Sequence, residues 1–412
     1  MFSRHIKLLR TEPRAVAFGA FSAFLSSPGQ TFFIALFVAP IGASLGYSAA
    51  EMGAIYLAAT LSSASLLPFV GHWIDRLDLR VYVSLAVAGL ALACFSASIA
   101  INAAMLFVAF LLLRMCGQGL MTHIETTSVA RYFTLDRGLA LSVTSLGFPV
   151  AIAATPVVAA FLIHGFGWRL SYAIVGVFLL VAALPVLVWL IAGHRRFFMP
   201  AERPAGTLAP RALDGMRAVT KTRFFWLAVP ILLFMPFTST ALTFHIEPVG
   251  MAKGWSRELI ASGFSTMALG NFCGLFLSGF VIDRLTARRM LPVINLPFFC
   301  GIAVLGLYSG PAALFVFFAL MGISSGLVQT TFGSVWAEVY GVARLGTVRS
   351  FAAMLMVAGT AAGPAVLGLF LDAGVPIGTI SLGLILAGLA ATLMSLFALT
   401  GRMPVQIEAS PR

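Results

Sequence analysis

The chain has 412 residues, of which 60% are hydrophobic and 10% are charged, and its formal net charge is +12. Soluble domains carry about a quarter charged residues, so this composition excludes a soluble domain. The apolar runs reach the ~20 residues that a helix needs to cross ~30 Å of hydrocarbon, and strand-like alternation is absent, which excludes a membrane barrel.

The apolar runs between charged or turn-rich breaks predict an all-α membrane protein with twelve transmembrane helices. In chain order the predicted spans cover 15–40, 51–73, 81–101, 103–129, 138–163, 168–193, 223–249, 257–281, 290–309, 311–336, 346–371 and 376–400.

The basic residues fall on one side of this predicted membrane topology. Of the 26 Lys and Arg residues, all but Arg114, Arg169, Lys253 and Arg257 lie at the termini or in alternate loops. Cytoplasmic loops carry such an excess, so both termini are predicted to be cytoplasmic, in a bacterial-type inner membrane. The net charge is then a topology signal, and it predicts no nucleic-acid partner.

The second half of the chain repeats the first at a constant offset of 208 residues. The matched pairs include Gly71 and Gly279, Asp75 and Asp283, Arg76 and Arg284, Arg80 and Arg288, Pro28 and Pro236, Pro40 and Pro248, and Pro156 and Pro364. Such an offset indicates a duplication. We predict an N-terminal six-helix half over 1–193, a basic cytoplasmic linker over 194–222 and a C-terminal six-helix half over 223–412. Six helices per copy make this a parallel repeat, as in secondary transporters.

Two charged phrases carry a specific resemblance. GHWIDRLDLR (71–80), between spans 2 and 3, recurs as GFVIDRLTARR (279–289), between spans 8 and 9. The pattern Gly-x-x-x-Asp-Arg-x-x-x-Arg resembles the signature of the major facilitator superfamily, although the residues after Asp-Arg-x differ from its usual ones. The stretch from Ala130 to Pro156 is similar to the branch of that superfamily that carries monocarboxylates and oxalate or formate.

The resemblance implies a conformational latch that holds the cytoplasmic side shut. Asp75 is predicted to pair with Arg131 at the end of span 4, and Glu338 with Arg284 or Arg288. The latch residues are Gly71, Asp75, Arg76, Arg80, Arg131, Gly279, Asp283, Arg284, Arg288 and Glu338. A plain interfacial turn anchored by basic residues is the alternative.

Ionisable groups within a membrane are expensive and therefore candidates for function. Arg114 lies near the middle of span 4, and Gln118 and Glu125 follow it at +4 and +11 on one helical face. RMCGQG (114–119) resembles an arginine-glycine motif associated with proton coupling, although its first glycine comes one place early. Arg114 and Glu125 are therefore the predicted coupling residues; for Arg114 the alternative is a structural arginine that satisfies backbone carbonyls between helices.

Spans 1, 4, 7 and 10 line the pore in the resembling superfamily, and they hold uncharged polar residues here. The predicted substrate-binding residues are Gln30, Arg114, Gln118, Thr238, Ser239, His245, Ser325 and Gln329. His245 is predicted to face the outer vestibule, and Glu247 is interpreted as an interfacial residue. Small polar residues also join membrane helices, so each position alone has a packing alternative.

The sequence predicts a proton-coupled secondary transporter of a small organic solute that bears a carboxylate, because a guanidinium binds carboxylates well. An exporter of amphipathic drugs and a non-transporting sensor of the same fold are the alternatives. The four cysteines match no disulfide framework or metal spacing, and no nucleotide-binding loop is present. We therefore predict no enzyme activity, no cofactor and no metal; the partners are the substrate, protons and the lipid bilayer, and the protein is a monomer.

Reporter fusions test the predicted topology. Fusions after Arg203 and after Arg402 should report the cytoplasm, and a fusion after Lys253 should report the outside, because basic loops stay on the cytoplasmic side. Paired alkaline phosphatase and fluorescent-protein reporters measure this directly. A periplasmic signal from the central loop would contradict the twelve-helix plan.

Overall fold

The computed structural model describes residues 8, 10–133, 137–193, 220–341 and 345–400, and at 279, 280, 282, 283, 345–347 and 350 it describes the backbone only. Nearly all of the predicted linker 194–222 lies outside the described residues. Every regular element among the described residues is helical. The α-helices are α1 (Pro13–Leu25), α2 (Thr31–Leu45), α3 (Ala49–Gly71), α4 (Leu79–Ser98), α5 (Ala103–Leu112), α6 (Thr122–Tyr132), α7 (Arg137–Thr144), α8 (Gly147–Phe178), α9 (Leu184–Ile191), α10 (Arg223–Phe244), α11 (Ile246–Ala252), α12 (Arg257–Leu285), α13 (Ala287–Met290), α14 (Leu296–Leu307), α15 (Pro311–Tyr340), α16 (Leu345–Asp372) and α17 (Ile377–Thr400).

Ten helical segments of the described chain are long and apolar enough to cross a membrane. One of them, Arg137–Ile191, holds 55 residues, about twice the length of a single crossing. Gly167 inside it has φ 71° and ψ 166°, a conformation open essentially only to glycine, so it divides the segment between the predicted spans 138–163 and 168–193. The shorter apolar helix α14 lies within the predicted span 290–309. These segments are consistent with the twelve predicted spans.

Contacts divide the chain into two compact units. Unit 1 comprises Met1–Arg203, Thr243–Ser265 and Pro364–Leu369, and unit 2 comprises Pro204–Leu242, Thr266–Gly363 and Phe370–Arg412. By sequence, 243–265 and 364–369 belong to the second predicted half, yet their contacts are with the helices of the first. The duplicated halves therefore stay a prediction from the sequence repeat, separate from this division.

The first predicted span is broken rather than continuous. Ser27–Gly29 forms a single 3-10 turn, and Gln30 is extended, with φ −89° and ψ 150°, before α2 begins. Pro28 has no amide hydrogen to donate, so one α-helical hydrogen bond is missing at this point. Its repeat counterpart, Pro236, lies inside the continuous helix α10, and the break there comes later, at His245. The two copies share proline positions but not the place of the break.

The fourth span changes its helical type halfway. Leu113–Met121, between α5 and α6, is a π-helix. Its Gly117 meets Gly29 of the broken first span: a Cβ on Gly117 would lie 2.7 Å from the Gly29 Cα, and one on Gly29 would lie 2.1 Å from the Leu113 carbonyl oxygen. Glycine is needed at both positions because the two backbones touch. The break and the π-helix therefore meet at one point.

Unit 2 contains a close helix pair built from four glycines. Gly270 and Gly274 on α12 face Gly322 and Gly326 on α15. A Cβ on Gly274 would lie 2.2 Å from the Ile323 carbonyl oxygen, so the helices are in backbone contact. Small residues four apart are the usual device by which membrane helices approach this closely.

Gly274→Ala should destabilise the protein, because its new methyl group would meet main-chain atoms that no rotamer change can move. Gly383→Ala in α17 is the matched control, since a Cβ there meets nothing within 4 Å. We expect Gly274→Ala to cost about 1–3 kcal/mol, as overpacking of a close-packed interior does. Thermal unfolding in detergent measures both, and equal melting temperatures would contradict the backbone contact.

Candidate functional site

Arg114 is a buried cation at the start of the π-helix, with only 2% of its surface exposed. Its Nη1 donates a 3.1 Å hydrogen bond to the Gly29 carbonyl oxygen. That oxygen is available because the amides of Phe33 and Ile34 bond to the Gln30 carbonyl instead. The Arg114 Nε has no hydrogen-bond partner, and no carboxylate among the described residues forms a salt bridge with this guanidinium.

The ring of Tyr56 supplies the second contact of the guanidinium. Tyr56 is fully buried on α3, and the Arg114 guanidinium carbon lies 5.1 Å from its ring centroid. Its hydroxyl shares a 2.7 Å hydrogen bond with Thr31, the first residue after the broken turn. A main-chain oxygen and an aromatic face therefore satisfy Arg114 in part, and neither neutralises its charge.

The two glutamines predicted near Arg114 differ in exposure. Gln30 is buried, and its Nε2 donates to Ser26 Oγ at 3.3 Å, whereas Gln118 is exposed. The predicted shared face of Arg114 and Gln118 assumed α-helical spacing, and the π-helix between 113 and 121 changes that spacing. The structure brings Gln30, rather than Gln118, into the buried region around the break.

Glu125 is a buried carboxylate on α6, with 3% of its surface exposed. The hydroxyls of Thr144 and Ser145, at the end of α7, donate to its Oε1 at 2.6 and 3.3 Å. A hydroxyl can either donate to a carboxylate or accept from a carboxylic acid. Its surroundings can therefore hold Glu125 with or without a proton.

The first predicted latch forms an ion pair. Arg131 bonds to the Asp75 carboxylate and also donates to the Ile74 carbonyl oxygen at 3.2 Å. Both side chains are partly exposed, at 24% and 46%, so their pair contributes at most about 1 kcal/mol to stability. Arg76 and Arg80 are exposed. The pairing of Asp75 with Arg131 is as predicted, and its latch role stays a prediction.

His123 also contacts the start of the signature. Its Nε2 lies 3.2 Å from the carbonyl oxygen of Gly71, and its Nδ1 lies 3.3 Å from the Thr127 hydroxyl. Because a carbonyl only accepts, Nε2 carries the proton in this arrangement. His123 therefore holds the C-terminal end of α3.

At the second predicted latch, Glu338 accepts a hydrogen bond from the main chain. The backbone amide of Arg288 donates to Glu338 at 3.2 Å, and the Arg288 guanidinium donates to the carbonyl oxygens of Ala398 and Leu399, both at 2.9 Å. The sequence predicted a side-chain pair of Glu338 with Arg284 or Arg288. The Asp283 side chain and any contact of the Gly279 position lie outside the described residues.

In unit 2 the predicted substrate-binding residues have mixed surroundings. Thr238 is fully buried and its hydroxyl has no hydrogen-bond partner among the described residues; Ser239 donates to the Pro236 carbonyl oxygen at 3.5 Å. Ser325 is half-buried and Gln329 is exposed. Thr238 is thus the fully buried member of this set, and its hydroxyl has no partner among the described residues.

His245 and Glu247 of unit 1 are both fully buried. His245 Nε2 lies 2.8 Å from the Pro364 carbonyl oxygen, and Arg257 Nε donates to Glu247 Oε1 at 2.6 Å. Glu247 is therefore buried and ion-paired, and its placement at the membrane interface stays a prediction.

Comparison with known proteins agrees with this helical arrangement. The family model of the Major Facilitator Superfamily matches residues 19–364, and the chain belongs to this superfamily. It is a multi-pass membrane protein, and its family and relatives are transporters rather than enzymes.

A curated relative and two solved structures are particularly informative. A gallate transporter from Pseudomonas putida is 26% identical over 284 residues, and the match covers 62% of this chain but only 63% of that protein. The nucleoside transporter NupG has a TM-score of 0.78 at 11% identity, covering 94% of this chain and 100% of that one. A bacterial homologue of the human lysosomal transporter Spinster, inward-facing and unoccupied, has a TM-score of 0.70 at 17% identity, covering 94% and 95%. At these identities the two structures show the fold alone.

Asp75→Asn should leave the protein folded and in the membrane but bias it towards states open to the cytoplasm, because the pair with Arg131 is broken. Asp78→Asn is the matched control: Asp78 caps α4 by accepting from the Arg80 amide at 2.8 Å, and asparagine caps a helix equally well. Cysteine accessibility on both sides of the membrane measures the bias. Unchanged accessibility in Asp75→Asn would contradict the latch.

Proposed function

We propose that this chain is a secondary active transporter of small organic anions that bear a carboxylate, coupled to protons and working by alternating access. We place it as a monomer in a bacterial-type inner membrane with both termini in the cytoplasm. Aromatic acids are the substrate class that best fits the residues and the relative described above.

The buried Arg114 carries this proposal. This guanidinium is 2% exposed, its Nε has no partner, and no carboxylate among the described residues pairs with it. Its contacts are one carbonyl oxygen and the face of one aromatic ring. A charge buried in a membrane protein costs several kcal/mol unless a counter-charge meets it. A substrate carboxylate supplies that counter-charge and matches the planar donor fork of arginine.

The relative supports the aromatic part of the proposal. The Pseudomonas putida protein is named a gallate transporter, and gallate is an aromatic carboxylate. In this chain the guanidinium already rests against the ring of Tyr56, so aromatic surface lies beside the cation.

Glu125 is the proposed proton carrier. It is buried, and both of its hydrogen-bond partners are hydroxyls that tolerate either protonation state. Arg114 and Glu125 lie on the same span, eleven residues apart. Anion binding at Arg114 and protonation of Glu125 would therefore both act on a single helix.

Substitution of Arg114 tests the function. Arg114→Lys keeps the charge but loses the fork, so KM for gallate uptake should rise about tenfold; Arg114→Gln should abolish uptake. The matched control is Arg169→Gln, because Arg169 makes the same kinds of contact, donating to the Ser98 carbonyl oxygen at 3.1 Å and lying 4.2 Å from the Trp168 ring. Normal accumulation by Arg114→Gln at normal expression would contradict the proposal.

A thermal-shift screen separates this function from export of amphipathic drugs. A ligand that binds the folded state stabilises it in proportion to its occupancy. Gallate and simple benzoates should raise the melting temperature of the wild type and leave that of Arg114→Gln unchanged, whereas cationic dyes should have no effect on either. Stabilisation by the dyes alone would favour the drug exporter, and a sensor would bind gallate without flux into liposomes.

A further inference from the structure

Tyr56 connects the guanidinium of Arg114 to Phe244. Its fully buried ring lies 5.1 Å from the guanidinium carbon and 4.7 Å from the centroid of the Phe244 ring. Phe244 is the last residue of α10, and both aromatic residues belong to unit 1. A single side chain therefore contacts the candidate anion site and the end of the seventh predicted span.

The chain leaves the helix immediately after Phe244. His245 has φ −103° and ψ 16°, and its Nε2 lies 2.8 Å from the Pro364 carbonyl oxygen. A Cβ on Gly53, one turn before Tyr56 on α3, would lie 2.6 Å from that same oxygen. One face of α3 thus contacts this region twice. Tyr56 packs on Phe244, and Gly53 packs on Pro364, whose carbonyl oxygen is the partner of His245.

We propose that Tyr56 couples anion binding at Arg114 to release of the segment Thr243–Val249 from unit 1. This inference rests on the proposed function. A carboxylate that accepts from Nε and an Nη draws the guanidinium towards its own oxygens, and these charge-assisted hydrogen bonds are stronger than the contact with the Tyr56 ring. A ring that loses the guanidinium loses one of the contacts that fix it against Phe244.

The coupling is reciprocal. If anion binding favours release of the segment by some factor, release of the segment raises anion affinity by the same factor. Arg114 and Tyr56 then restrain the segment together, so that removing either side chain removes the whole restraint.

The test needs no ligand in its first arm. Val249, which is 4% exposed, is replaced by cysteine in a variant that lacks the four native cysteines, and its labelling by an impermeant maleimide is measured in intact cells. Tyr56→Leu and Arg114→Gln should each raise the labelling rate about fivefold, as loss of a buried cation–π contact permits. The double variant should exceed neither single variant. The proposal would be overturned if the fold-increases of the two single variants multiply in the double variant, or if neither single variant changes the labelling rate.

Tyr172→Leu controls for general loosening, because Tyr172 is a fully buried tyrosine that packs on Phe37 with ring centroids 4.0 Å apart. It should leave labelling unchanged, and an equal rise would overturn the proposal. If Tyr56→Leu fails to reach the membrane, Tyr56→Met replaces it, and the same non-additivity with Arg114→Gln is required.

Gallate is added in the second arm. It should raise labelling in the Val249→Cys background and have no effect after Tyr56→Leu, at a gallate concentration at which a thermal shift shows that the Tyr56→Leu variant is occupied. An undiminished gallate response in Tyr56→Leu would overturn the Tyr56 proposal and leave the substrate intact. If the effects of the two substitutions on labelling are non-additive but gallate does not change labelling, the coupling role of Tyr56 would be supported and the proposed carboxylate substrate would be overturned.

Discussion

A guanidinium cannot remain in a membrane helix without acceptors, and this constraint organises unit 1. The acceptor that the chain provides is a main-chain carbonyl, which is free only because the first span breaks at Ser27–Gly29. Glycines at 29 and 117 bring that carbonyl within reach, since any side chain at either position would separate the two backbones. The broken turn, the glycine contact and the position of Arg114 are therefore parts of one arrangement.

The same arrangement leaves the charge of Arg114 solvated by dipoles but not neutralised. A structure that needed only stability would replace such a group with an apolar side chain of similar volume, which is often neutral or stabilising. Tyr56 lies at the boundary of this region, with its hydroxyl on Thr31 and its ring against Phe244. Polar anchoring on one side and apolar packing on the other explain why this position suits tyrosine better than phenylalanine or leucine.

Features set by local composition could be predicted from the sequence. The spans follow from apolar length, as the long helices confirm, and the pairing of Asp75 with Arg131 follows from charges at the ends of neighbouring spans. The superfamily follows from the repeated phrase, and the family model confirms it. Glu338 was predicted to pair with the side chain of Arg284 or Arg288; the Arg288 backbone amide donates to Glu338, and the side-chain pair stays a prediction. The predicted roles of the candidate site residues remain predictions.

Features set by contact between distant segments could not be predicted. Pro28 and Pro236 occupy equivalent positions in the repeat, yet only the first is followed by a glycine that meets another backbone, and only there does the helix break. Glu247 has no acidic or basic counterpart on its own helix; its partner Arg257 comes from beyond the turn at Gly254. Periodicity reports which residues share a face, and it does not report which main-chain groups a neighbouring helix will approach.

The π-helix at Leu113–Met121 also affects how this chain can be compared with its relatives. Each of its backbone bonds spans five residues instead of four, so the turn holds one residue more than an α-helix of the same height. Such a turn is what a single inserted residue produces in an otherwise regular helix. An ungapped alignment through this stretch would therefore assign Gly117 and every later residue of the span, including Glu125, to the wrong side of the helix in relatives whose fourth span is α-helical throughout. A one-residue gap in those relatives, opposite the stretch between 113 and 121, restores equivalent faces.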